Sequence, residues 1–200
     1  FTLFNPNAPE GTHVAFLQGR GKIETTIVTR PTTFRIRMKG AQRQRNTVAG
    51  NFDHQVVRVT INGTQVAELE FTDSDYGDYV TRPYTVSTTS ALTVVIEGTE
   101  TNQDFTAFVD DLRFENINDW SKSSSWTAGV PLDNHDVIIP AGVAIAITET
   151  GNVAQSVIVN GELLVSDRDS TLDTDWIAIQ GPDSLFEVGR EDTPFLQQFT

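Results

Sequence analysis

The sequence predicts an all-β protein in which a jelly-roll β-sandwich is followed by the first coils of a β-helix, a solenoid of stacked strands. Two observations lead to this prediction. Residues 12–115 contain eight short runs with strand character, separated by Gly, Pro, Asn, Asp and Thr. Residues 123–200 instead contain three similar segments at a nearly constant spacing. Neither region has apolar residues at helical spacing over a useful length.

The sandwich prediction rests on alternation of apolar and polar residues, which is clearest in "RVTINGTQVAELEF". Side chains alternate between the two faces of a strand, so this pattern is typical of a sheet with one buried face. Asn62-Gly63 lies between the two alternating halves and predicts a tight hairpin, because both residues tolerate positive φ. The eight runs are "THVAFLQ", "KIETTIV", "TTFRIRMK", "QVVRVTI", "TQVAELEF", "YVTRPYTV", "ALTVVIE" and "FTAFVDDLRF".

The solenoid prediction rests on self-similarity. Each of "DVIIPAGVAIAI", "SVIVNGELLVSD" and "WIAIQGPDSLFEVG" has an apolar run, a glycine and a second apolar run. The glycines are Gly142, Gly161 and Gly181, which are 19 and 20 residues apart. This period predicts one coil of a right-handed β-helix per repeat, with the stacking of coils closing the core. A meander of hairpins in a second sandwich is the alternative.

A polar, Ser-rich stretch, "ENINDWSKSSS", separates the two patterns and has no strand alternation, which indicates a linker. Trp120 lies within this stretch and Trp126 directly follows it. We expect both indoles to pack against the first coil or the domain interface rather than to stack on a sugar. The predicted organisation is a jelly-roll domain at 1–116, a linker at 117–122 and a partial β-helical domain at 123–200.

Charge and composition argue against several classes of function. The 200 residues include 14 Lys and Arg against 27 Asp and Glu, a formal net charge of -13, so binding to nucleic-acid phosphates is not expected. The chain has no cysteine, which excludes disulfides and thiol chemistry. No apolar run approaches the ~20 residues of a membrane span. The first residues lack the features of a signal peptide, and we interpret the chain as a slice of a larger mature protein.

The run "TAFVDDLRFE" alternates like a strand, yet two aspartates stand in its middle, although Asp is a poor strand former. If Phe108, Leu112 and Phe114 face a core, Asp110 faces it too. A buried carboxylate needs a hydrogen-bond donor, a charged partner or a metal. Two interpretations of Asp110 follow: it accepts backbone N–H bonds, or it is a ligand of structural calcium, which prefers carboxylate and carbonyl oxygens.

The first region, over roughly residues 4–116, resembles the galactose-binding-like jelly-roll carbohydrate-binding modules, and in particular a bacterial exported version of them. The resemblance implies a carbohydrate ligand and a structural calcium (Ca2+) near the last strand. Asp110 matches the first Asp of the family's Asp pair, and Glu10 is a second candidate ligand. Two departures are a missing opening strand and Glu24 in place of the family's Gln. The matching stretches are "EGTHVAFLQGRGKIETTI", "FRIRMKGAQRQ", "VRVTINGTQV" and "FTAFVDDLRFE".

Residues 123–200 resemble the start of a G8 domain. The matching features are a Trp, the segment "GVPLDNHDVIIPAG", the turn "IVNGEL" and the late stretch "IQGPDSLFEVGREDTPF". The resemblance implies an extracellular or cell-surface protein. Some members of the family take part in polysaccharide turnover. Its glycines and periodic apolar residues explain a fold and do not identify a site.

A sugar site of the stacking kind combines an aromatic face, against the apolar face of a pyranose, with polar side chains for the hydroxyls. The acidic loop "DSDYGDY" carries Tyr76 and Tyr79, which are the candidate platforms. Closure of the end of the sandwich is the structural alternative for both tyrosines. The candidate hydrogen-bonding neighbours are Arg43, Arg45, His54 and Gln55.

The sequence contains no catalytic motif. His13, His54 and His135 lack the spacing of a metal site such as His-Glu-x-x-His, and no nucleophile elbow is present. The 27 acidic residues offer many carboxylate pairs for glycoside hydrolysis and select none. We therefore expect no enzymatic activity within this chain.

These observations predict a non-catalytic segment of a large secreted or cell-surface protein. Its jelly-roll module would bind a polysaccharide or other glycan, or mediate adhesion. One alternative is a structural building block of an extracellular filament, stalk or adhesin, in contact with other copies or other surface proteins and without affinity for free sugars. Another is the accessory region of a polysaccharide-degrading enzyme.

Overall fold

The structure is a computed structural model that describes residues 6–43, 55–101, 105–166, 168–189 and 199–200. Within those ranges the only helical element is a 3-10 turn at Ser123–Ser125, and the predicted all-β class is confirmed. No helix in the described part of the chain has the length and apolar character needed to cross a membrane.

The chain divides into two compact units. The first consists of Phe1–Thr29, Ile36–Thr81 and Thr89–Glu115. The second consists of Arg30–Arg35, Arg82–Thr88 and Asn116–Thr200. Two short segments that precede residue 116 therefore belong to the same unit as the predicted solenoid. Whether the chain folds as separate domains at 1–116 and 123–200 remains a prediction.

In the described ranges nine strands precede Trp120, and those of the first unit form two antiparallel sheets. They are β1 (Ala15–Gln18), β2 (Lys22–Thr29), β3 (Thr32–Gln42), β4 (Val56–Ile61), β5 (Thr64–Glu70), β6 (Gly77–Val80), β7 (Tyr84–Val86), β8 (Ser90–Gly98) and β9 (Thr106–Asp119). One sheet has the order β2-β8-β4-β5, and the other contains β1, β9, β3 and β6 in that order.

The core of the first unit follows the alternation of the sequence. Val57, Val59 and Ile61 on β4 are all fully buried, and the residues between them are half-buried. The same period of two appears on the neighbouring β8. Burial of one face at every second residue is the pattern expected of a sheet that covers a core.

Backbone geometry decides two of the strand predictions. Asn62 and Gly63 have φ of 49° and 79°, and β4 pairs with β5 across them, so the predicted hairpin is confirmed. The run "YVTRPYTV" forms two strands, β6 and β7, rather than one. Pro83 lies between them and has no N–H to donate to a ladder, which explains the interruption.

Strands of successive repeats pair in parallel in the second unit. Its strands are β10 (Asp136–Ile139), β11 (Ala144–Ile147), β12 (Asn152–Val153), β13 (Ser156–Val159), β14 (Glu162–Val165), β15 (Leu172–Asp173), β16 (Trp176–Ile179) and β17 (Leu185–Val188). The parallel orders are β10-β13-β16, β11-β14-β17 and β12-β15. A hairpin meander would need antiparallel pairs, so that alternative is wrong. The right-handed β-helix remains a prediction.

The core of the second unit contains both linker tryptophans. Trp120 is fully buried among inward-facing aliphatic side chains, and Trp126 packs against the same cluster. The Trp126 Nε1–H donates to the Trp120 carbonyl at 2.7 Å, and the two rings meet edge to face. The expectation that both indoles pack on the first coil is confirmed.

Gly161 lies where no side chain fits, because a Cβ there would overlap the carbonyl oxygens of Pro140 and Val143.

The predicted linker at 117–122 begins inside a strand, because β9 continues to Asp119. The end of β9 pairs in parallel with β11. Ile117 is buried, whereas Asn116 and Asn118 are exposed. The strand alternation is present here, but the outward positions carry amides that resemble a loop in composition.

Candidate functional site

The candidate site surrounds Asp110 on β9, where the strand becomes irregular. Asp111 has φ of 49°, a left-handed conformation that Asp adopts more readily than most residues. Leu112 and Phe114 are consequently 37% and 40% exposed, whereas Phe108 is 5% exposed. The expectation that these three side chains share one buried face is therefore wrong, because the irregular residue interrupts the alternation.

Asp110 is half-buried and has two backbone donors. The N–H of Asp111 donates to Oδ1 at 2.9 Å, and the N–H of Glu10 donates to Oδ2 at 3.5 Å. Acceptance of backbone N–H bonds is one of the two interpretations that the sequence allowed. The second bond connects β9 to a segment 100 residues earlier in the chain.

Arg113 brings a cation to the same group of residues. Its Nε–H donates to Asp111 Oδ1 at 2.5 Å, and its Nη2 lies 3.9 Å from Glu10 Oε2. The hydrogen bond and charge of Asp111 raise the pKa of the Arg113 guanidinium. Sequence analysis assigned no role to Arg113. The available signal was its position two residues after Asp111, because residues two apart share a face of a strand.

Tyr76 completes the group, which we call the Asp110 edge: Glu10, Tyr76, Asp110, Asp111 and Arg113. Tyr76 is half-buried, and its hydroxyl is buried without a hydrogen-bond partner among the residues that the structure describes. Burial, and secondly the negative charge of Asp110, raise the pKa of Tyr76 to about 12. Glu10, Asp110, Asp111 and Arg113 are thus linked by contacts, and Tyr76 lies close enough to Asp110 for the charge of that carboxylate to raise its pKa.

Tyr79 occupies a different position from Tyr76. It is half-buried, and its ring packs on Phe71 with the centroids 4.4 Å apart. Burial, followed by the charges of Asp73 and Glu70, raises the pKa of Tyr79. This packing is that of a residue that closes the end of a sandwich. The predicted contact of Tyr79 with a sugar remains a prediction.

The structure describes two of the four predicted hydrogen-bonding neighbours, Arg43 and Gln55. Arg43 is half-buried, and its backbone N–H donates to the Thr106 carbonyl at 3.0 Å. Arg45 and His54 lie outside the described residues. Gln55 is fully buried, and its Nε2 donates to the Gly19 carbonyl at 2.5 Å. Gln55 therefore has a structural role in the interior of the first unit.

The contacts of Asp110 and Glu10 in the structure are hydrogen bonds and an ion pair rather than a converging set of calcium ligands. Both Asp110 oxygens already accept N–H bonds, and the Glu10 carboxylate faces the Arg113 guanidinium rather than Asp110. Across the described ranges, no three His, Asp or Glu side chains form a group that could hold a metal. Calcium prefers six to eight oxygen ligands. The calcium site predicted at Asp110 and Glu10 remains a prediction.

The two histidines within the described ranges have local partners. His13 Nδ1 is 3.0 Å from the hydroxyl of Thr12. His135 Nδ1 accepts the backbone N–H of Leu132 at 3.3 Å, and the backbone N–H of His135 donates to the Leu132 carbonyl at 3.0 Å. His135 is thus a turn residue, and neither imidazole belongs to the Asp110 edge.

Comparison with known proteins gives one family match and several similar folds. The G8 domain family model matches residues 120–200. No curated protein matches the chain. The EclA C-terminal domain, a sugar-binding protein, is 14% identical, with 57% of this chain and 84% of that chain covered and a TM-score of 0.41.

Two further similar structures are carbohydrate-binding modules. The CBM36-1 domain of a multidomain xylanase from the hindgut metagenome of Trinervitermes trinervoides is 17% identical, with 54% and 89% coverage and a TM-score of 0.41. A carbohydrate-binding module CBM36 in complex with calcium and xylotriose is 18% identical, with 53% and 91% coverage and a TM-score of 0.41. These similarities concern the fold of those proteins and not their ligands.

Proposed function

We propose that the first unit is a non-catalytic module that binds a neutral carbohydrate at the Asp110 edge, within a larger secreted or cell-surface protein. The observation that carries the proposal is the grouping of Tyr76 with three carboxylates and the exposed Arg113 on one β-sandwich. Aromatic surface beside convergent polar groups is one combination by which proteins bind sugars.

Each part of the Asp110 edge has a distinct role in this proposal. The ring of Tyr76 provides apolar surface for one face of a sugar ring. Glu10 is 73% exposed and accepts sugar hydroxyls, and Arg113 is 64% exposed and donates to them. Such charge-assisted hydrogen bonds are stronger than neutral ones. Asp110 holds the backbone of Glu10 and Asp111 and so positions the cluster.

The charge of the Asp110 edge favours a neutral ligand. Its three carboxylates outnumber its single guanidinium, and the chain has a formal net charge of -13. A uronate or a sulfated sugar would place like charges next to each other, which is unfavourable. Asp110 and Glu10, the predicted calcium ligands, act here as hydrogen-bond acceptors. Tyr79, Arg43, Arg45 and His54 remain predicted sugar contacts.

Native affinity electrophoresis of the full chain tests the proposal, with soluble neutral xylan or β-glucan in the gel. We expect the polysaccharide to retard the wild-type protein and to retard Tyr76→Ala and Arg113→Ala much less. Val28→Ala is the matched surface control, because Val28 is 77% exposed on β2 of the other sheet. It should migrate like the wild type.

Equal retardation of all four proteins would place the binding surface elsewhere. No retardation by any neutral polysaccharide would contradict the proposal outright. Light scattering on the same samples tests the filament or adhesin alternative, which requires contact between copies. Release of reducing sugar from the polysaccharide would contradict the non-catalytic assignment and would favour a role within a polysaccharide-degrading enzyme.

A further inference from the structure

A polar cleft of about 640 Å³ lies within the second unit, and its described lining contains none of the residues predicted as sugar or calcium contacts. It crosses four neighbouring strands in the order β7, β3, β9 and β11. Because neighbouring strands are about 4.8 Å apart, the row of side chains across them is about 14 Å long. The volume is within the range of about 300–1,000 Å³ that is typical of ligand pockets.

Short polar side chains form the floor of the cleft and are held in place by one another. The hydroxyls of Thr33 and Thr85 are 3.0 Å apart, which connects β3 to β7. The Thr148 hydroxyl donates to Asp119 Oδ2 at 2.7 Å, which connects the end of β11 to β9. Short, mutually bonded side chains have little conformational entropy left to lose, so this surface is preorganised for a ligand.

Three longer groups in the cleft have no such bonds. The amide of Asn118, the ammonium of Lys122 and the carboxylate of Glu149 are exposed and make no side-chain hydrogen bond or ion pair with any described residue. The Asn118 amide can both donate and accept hydrogen bonds, the Lys122 ammonium can only donate, and the Glu149 carboxylate can only accept. A hydroxyl both donates and accepts, and therefore matches this set better than an ion of either sign does.

We propose that this cleft is a second saccharide site, which binds a neutral oligosaccharide through its hydroxyls. The proposal goes beyond the Asp110 edge and does not depend on it. The lining residues that the structure describes include no aromatic one, so recognition here uses hydrogen bonds rather than stacking on a ring. The lining charges, Asp119 and Glu149 against Lys122 and Arg168, balance one another, which favours an uncharged ligand.

Calorimetric titration of the full chain with neutral hexasaccharides of xylose, glucose, mannose and galactose tests the second site. The background is Arg113→Ala, which removes the only guanidinium of the Asp110 edge. We expect residual binding in this background, and we expect Asn118→Ala with Lys122→Ala to weaken it about tenfold, because each loses a hydrogen bond. Asn134→Ala, an exposed Asn of the same unit outside the cleft, is the matched control.

Steric blocking provides a second, independent variant. Asn118→Trp should abolish the residual binding while the unfolding midpoint of the protein stays unchanged. Residual binding that survives both changes would overturn the second site, as would complete loss of binding in Arg113→Ala alone. If Arg113→Ala binds like the wild type while the Asn118 variants do not, the second site holds and the proposed role of the Asp110 edge fails.

Discussion

Arg35 and Glu162 lie 127 residues apart in the sequence and form a two-pronged salt bridge in the second unit. Arg35 Nη2 donates to Glu162 Oε1 at 3.0 Å, and Nη1 donates to Oε2. The Arg35 side chain is 5% exposed and that of Glu162 is 27% exposed. A guanidinium this deeply buried requires a charged partner, because its lost hydration is otherwise uncompensated.

Removal of one partner of this pair should destabilise the protein. We expect Glu162→Gln to lower the free energy of unfolding by about 2–3 kcal/mol, because the buried Arg35 guanidinium loses the charge of Glu162. Urea unfolding of the full chain measures this change. Glu24→Gln is the control, since it breaks the exposed pair with Lys22 at 2.8 Å and should change little. Equal effects of the two substitutions would show that burial of Arg35 is energetically unimportant.

The same pair bears on the predicted domain boundaries. A fragment of residues 117–200 contains Glu162 but lacks Arg35 and the segments Arg30–Arg35 and Arg82–Thr88 that belong to the second unit. We expect this fragment to unfold without a cooperative transition, as measured by circular dichroism during heating. A fragment with the same midpoint as the full chain would show that the boundary predicted from the sequence is also a folding boundary.

Local features of the fold were predictable because they depend on residues close in sequence. The Asn62-Gly63 hairpin requires only two residues that tolerate positive φ. The glycine period indicated the stacked repeats because each repeat has the same local pattern. The partner of Arg35 was not predictable, since nothing near Arg35 in the sequence points to Glu162. The end of β9 around Ile117 was predicted as a linker, because the exposed Asn116 and Asn118 on either side are residues as common in loops as on the outer face of a strand.

Tyr76 should make stability depend on alkaline pH. Burial and the charge of Asp110 raise the pKa of Tyr76 from 10.0 to about 12. Below pH 10 the phenol is protonated in both the folded and unfolded states. Above it the unfolded state loses its proton first, so the contribution of Tyr76 falls as pH rises towards 12. Urea unfolding from about pH 8 to about pH 11.5 should show this decline.

Tyr76→Phe tests the origin of that decline. The substitution removes the titrating phenol and should make the fall of stability with pH smaller. The part due to Tyr79 should remain, because burial also raises the pKa of Tyr79. At neutral pH we expect Tyr76→Phe to unfold at the same or a slightly higher urea concentration. The reason is that its hydroxyl is buried without a partner among the described residues. A marked loss of stability at neutral pH would mean that the hydroxyl has a partner after all.

Calcium should have little effect on stability if Asp110 is satisfied by backbone donors. Binding to the folded state alone would raise the unfolding midpoint by mass action. We expect thermal unfolding of the full chain in calcium and in excess EDTA to give the same midpoint, because both Asp110 oxygens already accept N–H bonds. A large drop in EDTA that is absent in Asp110→Asn would instead establish Asp110 as a calcium ligand.

The candidate site was only partly predictable from the sequence. Tyr76, Asp110 and Glu10 were identified by residue type and by resemblance, and the structure connects all three through contacts or charge. Arg113 was missed, because its contact with Glu10 joins residues 103 positions apart that nothing in the sequence connects. Tyr79 has the same composition around it as Tyr76, and only the packing of its ring on Phe71 distinguishes the two.

Nuclear magnetic resonance of the full chain during titration with a neutral xylo- or gluco-oligosaccharide tests the central claim most directly. The backbone amides of Glu10, Asp111 and Arg113 report on the Asp110 edge one by one. We predict that their signals shift with the sugar concentration and that Tyr76→Ala removes the shifts. Signals that stay in place while the sugar binds elsewhere, or no binding at all, would contradict the assignment of the Asp110 edge as a carbohydrate site.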